Sequence, residues 1–67
     1  MITIAELRAR NNKMSQQKLA DAMDVDVSSV RRWENDIYTI SSTNLKKLCL
    51  FFNVSADDLL GTKKIYS

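Results

Sequence analysis

One short pattern, repeated along the chain, limits what this sequence can fold into. An apolar residue precedes a Ser, Thr or Asp, and a second apolar residue follows five positions after the first. This is the hydrophobic staple around a helix N-cap. The cap oxygen accepts from an orphan backbone N–H while the two apolar side chains close over the first turn. It occurs at Ile2-Thr3 with Leu7, Met14-Ser15 with Leu19, Val25-Asp26 with Val30, Ile40-Ser41 with Leu45, and Val54-Ser55 with Leu59. Glu6 completes a Thr-x-x-Glu capping box in the first, and Asp57 and Asp58 sit where the dipole of the last favours anions. Five starts in 67 residues leave room only for short helices, so an all-α, compact five-helix bundle is expected.

The rest of the chain agrees. There is no proline and one glycine, Gly61, so nothing reads as a hairpin or a Pro-rich linker. Leu45, Leu48, Cys49 and Phe52 fall at i, i+3, i+4 and i+7, one face of a helix. Leu19 with Met23 and Val30 with Trp33 make shorter stripes, and Trp33 and Cys49 read as core residues. The reading is one domain over 1–61 and a tail over 62–67, at a size where a single core is only just sufficient.

Several functions are disfavoured by what the sequence contains. One cysteine and no histidine cannot form an internal disulfide or an ordinary Cys/His zinc site, so no cofactor or metal is expected. No histidine, Gly-rich phosphate loop, or serine or cysteine beside a plausible base supports an enzyme or a small-molecule substrate. No apolar run approaches the ~20 residues of a membrane span, and no basic-then-apolar leader opens the chain. A cytoplasmic protein with no membrane partner is expected. The net charge of +2 permits nucleic-acid binding without arguing for it, so the placement of charges must decide.

Residues 15–34 are the most informative. A helix from Ser15 to about Met23 is followed closely by a second starting at Asp26, the spacing of a helix-turn-helix, whose second helix enters the major groove. Asp24 takes the left-handed turn position where glycine is usual. With Val30 and Trp33 turned inward, Val27, Ser28, Arg31, Arg32 and Asn35 are expected on the outer surface. Arginine can bond a guanine edge bidentately, serine can donate or accept, and a small apolar group can meet a thymine methyl. A solvated basic face is the alternative reading of the same residues.

The text "MSQQKLADAMDVDVSSVRRWEND" followed by "LKKLCLFFNVSADDLLG" resembles the phage-repressor (lambda repressor/Cro-like, XRE-type) helix-turn-helix family over roughly Leu7 to Gly61. The resemblance implies base-reading positions at Val27, Ser28 and Arg32, with Arg31 a further candidate. It places phosphate contacts at Gln16 and Asn35. It also implies a structural pair between Glu34 and an arginine of the first helix, Arg8 or Arg10. The choice stays open because the Asn11-Asn12-Lys13 connection is one residue longer than usual.

Three departures from the family pattern stand out. Residues 15–35 carry a net charge of −1, Asp36 replaces the glycine common after Trp-Glu-Asn, and the loop Ile37-Tyr38-Thr39-Ile40 is unusually apolar. Leu50 holds a generally polar position and Phe51 a generally small one. Leu50, Leu60, Ile65 and Tyr66 would form a protein-partner patch if they share a surface, whereas Phe51 and Ile65 could simply enlarge the core. Lys63 and Lys64 read first as part of a solvated tail, with phosphate contact as the alternative. The expectation is a sequence-specific regulator binding a double-stranded operator as a homodimer, joined through the fourth and fifth helices or the tail. The alternative is an antirepressor or modulator that binds a partner repressor protein through the same fold. A toxin–antitoxin component would use the fold for both DNA and a toxin.

Overall fold

A computed structural model describes residues 2–61. Among them are five α-helices: α1 (Ile4–Arg10), α2 (Gln16–Met23), α3 (Val27–Asn35), α4 (Ser42–Phe52) and α5 (Ala56–Leu60), with a 3-10 turn at Ile37–Thr39 between α3 and α4. Each helix begins one residue after its expected cap. The side chains of Thr3, Ser15, Ser41 and Ser55 accept from the backbone N–H of Glu6, Lys18, Asn44 and Asp58. Asp26 differs: it has extended cap geometry but makes no side-chain cap bond, and only its carbonyl engages the first turn, accepting from Ser29 N–H at 3.0 Å. The Thr3 hydroxyl also donates to the Glu6 carboxylate at 3.2 Å, a variant of the expected capping box.

All ten staple residues lie in the core or pack against it. The buried centre is Ile4, Leu7, Leu19, Ala20, Met23, Val30, Trp33, Leu48 and Leu59. On α4 only Leu48 is fully buried, while Leu45, Cys49 and Phe52 flank it half-buried. Cys49 is thus a flank of the core and not its centre. Burial nevertheless pushes its thiol pKa up, because the thiolate loses hydration there.

The helix ends explain how so short a chain turns so often without glycine. Asp24 adopts the left-handed conformation (φ 59°, ψ 48°) and Val25 N–H returns to Ala20 O at 3.0 Å, a Schellman closure of α2. Asn53 (φ 57°) does the same for α4, with Val54 N–H bonded to Cys49 O at 3.0 Å. After α1, Asn12 and Lys13 are both left-handed (φ 58° and 55°), two consecutive residues that normally avoid this region. These absorb the extra residue of that connection.

The other departures also have local roles. Asp36 is extended at φ −152°, so no glycine is required, and its carboxylate accepts from Tyr38 N–H at 3.1 Å to cap the 3-10 turn. Ile37 and Ile40 pack on the core, while Tyr38 is 66% exposed and donates its hydroxyl to Leu60 O at 2.6 Å. Phe51 is 41% exposed and therefore does not simply enlarge the core. The proposed roles of Lys63, Lys64, Ile65 and Tyr66 fall outside the described residues.

Candidate nucleic-acid interface

α2 and α3 are joined by Asp24, Val25 and Asp26, the three-residue turn of a helix-turn-helix. Ser28, Arg31, Arg32 and Asn35 are exposed on α3, while Val30 and Trp33 are buried on its opposite side. Val27 departs from its expected place: it is half-buried and packs against the core, so only part of its side chain faces outward. The cause is its position at the first turn of α3, two residues after the stapled Val25.

A chain of polar contacts sets this surface. Arg8 donates from Nε to Glu34 Oε2 at 2.7 Å and from Nη2 to Glu34 Oε1 at 3.1 Å. Its Nη1 donates to Met14 O at 2.8 Å, pinning the loop that leads into α2. The pair is largely withdrawn from water, with side-chain exposures of 19% and 14%. Arg8, not Arg10, is therefore the structural arginine. Its pKa is held above the usual arginine value, first by the hydrogen bond to Glu34 and then by that residue's charge, against the opposing effect of burial.

Glu34 also reaches the second helix. Its Oε1 accepts from Gln16 Nε2 at 3.0 Å, and Gln16 Oε1 in turn accepts from Arg31 Nε at 3.4 Å. A carboxylate can only accept, so Glu34 fixes the Gln16 amide with its NH2 inward and its carbonyl toward Arg31. Gln16 is the first residue of α2, and Ser15 has satisfied only the Lys18 N–H of that turn. The nearby first-turn N–H groups have no intrahelical acceptor, the usual anion-favouring end of a helix. Ser28, Arg32 and Asn35 carry no side-chain partner among the described residues and remain available to an outside ligand.

The network also explains the near-neutral charge of the unit. The Glu34 charge is matched by Arg8, which lies outside residues 15–35. Asp24 sits at the C-terminal end of α2, one helix length of about 12 Å from Gln16. The Glu34 charge is thus balanced from outside the unit, whereas Asp21, Asp24 and Asp26 remain on it. Sequence reasoning missed the Glu34–Gln16–Arg31 link, since nothing in local spacing marks which polar partner Gln16 takes.

Leu50 and Leu60 are not brought together by any contact described here. Leu50 lines a groove against the end of α2, whereas Leu60 lies beside Tyr38. Among the described residues no group of acidic, Cys or His side chains is arranged to hold a metal, and no helix is long and apolar enough to cross a membrane.

These elements define a helix-turn-helix unit with an exposed, arginine-bearing second helix. The family model for Helix-turn-helix (HTH_3) matches residues 4–59, and the chain belongs to this XRE-type, lambda repressor/Cro-like family. The family is one of DNA-binding transcription regulators and not of enzymes. Comparison with curated proteins and with solved structures gives no match.

Proposed function

We propose that this regulator is a Cro-like repressor that inserts α3 into the major groove of a specific operator. The observation that supports this most directly is the Glu34–Gln16–Arg31 link, which ties the first residue of α2 to Arg31 on the outer side of α3. In this reading Ser28 and Arg32 address base edges, with the exposed part of Val27 against a thymine methyl. Arg31 is drawn toward Gln16 by its Nε and divides its remaining donors between a base edge and the neighbouring phosphate. Gln16 and Asn35 position the unit on the backbone. Two copies reading a two-fold operator would place half-sites about 34 Å apart. Repression follows from occluding the polymerase, with no chemistry on the DNA.

The test is fluorescence anisotropy of the full chain on random-sequence duplex across a salt series, followed by operator selection from a random pool. Affinity should fall steeply with salt, each neutralised phosphate contributing about −0.9 to the log–log slope. Selection should then recover a two-fold sequence. No binding even at low salt would overturn the proposal and direct attention to a partner repressor protein.

A further inference from the structure

The start of α1, the end of α3 and the 3-10 turn enclose a cavity of about 450 Å³, a size within the range of small-molecule sites. Ile4, Ile37 and Leu59 make its wall largely apolar, and Tyr38 stands at its edge. Trp33 also lines it and is only 4% exposed. Its indole N–H has no acceptor among the described residues. Yet no buried side-chain nitrogen or oxygen there is left sealed without a partner. The indole N–H therefore keeps the small remaining exposure of its residue, and the cavity that Trp33 lines supplies the opening. Charge in the wall is of one sign. Glu34 and Asp36 line the cavity, and among the described lining residues there is no Lys or Arg. Glu34 is matched by Arg8. Asp36 uses one oxygen to cap Tyr38 N–H, and its second oxygen has no partner among the described residues.

We propose that this cavity binds a small, flat organic amine. The ligand's ammonium group faces the free oxygen of Asp36, its ring lies against the apolar wall, and an oxygen on it accepts from the Trp33 N–H. Each part of the ligand answers a feature of the wall. A carboxylate can only accept, so it selects a donor or a cation. The aromatic side chains of Trp33 and Tyr38 favour the same charge, because the face of an aromatic ring attracts ammonium groups. An indole N–H can only donate, so it selects an acceptor. An anion of the same shape meets Asp36 with no base in the wall to offset it. The ligand is held without chemistry. Glu34 and Asn35 belong both to this wall and to the candidate interface, so an occupied cavity is placed to alter operator binding. That consequence rests on the repressor reading, whereas the site does not, because binding is measured without DNA.

The experiment is nitrogen-resolved NMR of the labelled full chain without DNA, titrated with three probes. Trp33 is the one tryptophan of the sequence, so its indole N–H gives a single signal. Tyramine carries the ring, the ammonium group and a hydroxyl oxygen. Phenethylamine lacks the oxygen, and para-hydroxyphenylpropionate has a carboxylate in place of the ammonium. Tyramine should move the indole signal saturably, with a dissociation constant on the order of a millimolar for so small a ligand. The other two should bind at least about tenfold more weakly. Asp36→Asn keeps an oxygen to cap Tyr38 N–H, yet should weaken tyramine at least about tenfold. Trp33→Phe, followed through the backbone amides of Ile37 and Leu59, should erase the preference for tyramine over phenethylamine. An indole signal unmoved by about 20 mM tyramine would leave the cavity to water and overturn the proposal. Equal binding of the anion, or of tyramine by Asp36→Asn, would equally overturn it. Tyramine that binds without changing operator affinity would remove only the coupling to DNA, and a chain that binds no DNA would leave the site standing.

Discussion

Arg8 and Glu34 meet in a two-point ion pair that joins the last turn of α1 to the last turn of α3, and the same arginine holds the loop carbonyl of Met14. Removing either partner leaves the other charge half-buried without compensation. Glu34→Ala and Arg8→Ala should each cost about 2–4 kcal/mol in urea unfolding. A double-mutant cycle should return a coupling energy of at least about 1 kcal/mol. Additive losses would show that the pair does not couple the two helices.

The pH dependence of this pair follows from the raised Arg8 pKa. A base whose folded value lies above its unfolded one contributes fully below the unfolded value, and the contribution is lost only as pH rises through the folded value. Arg8 should therefore add no pH dependence to stability between about pH 6 and 8. Urea midpoints in wild type and Arg8→Ala should run parallel across that interval.

Arg32 is exposed, has no side-chain partner among the described residues and lies on the outer side of α3. Arg32→Ala should cost about 1–3 kcal/mol on a selected operator and relax one base position, while leaving thermal unfolding unchanged. Anisotropy and a repeated selection would check both effects. A selected sequence and affinity identical to wild type would remove Arg32 from the base-reading set.

Lys13 occupies the left-handed region at φ 55° with an exposed side chain. Lys13→Gly should stabilise the domain by about 0.5–1 kcal/mol, since the relief of backbone strain outweighs the added unfolded-state entropy. The readout is the denaturation midpoint; a lower midpoint would mean that Lys13 is held there by something worth more than the strain.

Cys49 is half-buried on α4 and burial raises its pKa, so the reactive thiolate is scarce near neutrality. Alkylation of the folded protein should be at least about tenfold slower than in denaturant at the same pH. Equal rates would place the thiol in open solvent.

Much of this fold could be read from the sequence because its determinants are local. A cap and its staple lie within five residues, so the five helix starts, the left-handed Asp24 and the inward Val30 and Trp33 follow from spacing alone. The choice between Arg8 and Arg10 did not, since both lie near the end of α1 and only the path of the Asn12-Lys13 turn decides which faces Glu34. Asp36 resembled a lost glycine until its extended backbone and its bond to Tyr38 N–H were visible. The placing of Gln16 was equally hidden, because its partner Glu34 lies eighteen residues away and belongs to another helix.

One carboxylate, Glu34, accepts from both Arg8 and Gln16, and Gln16 in turn accepts from Arg31. The reading surface consequently has no rigidity of its own to fall back on: whatever loosens the packing of the first three helices also scatters the groups that would face DNA. In a domain this small, warmth or partial denaturation should act like an inducer. Occupancy and folding would then fade in a single transition, with no folded but unresponsive state between them.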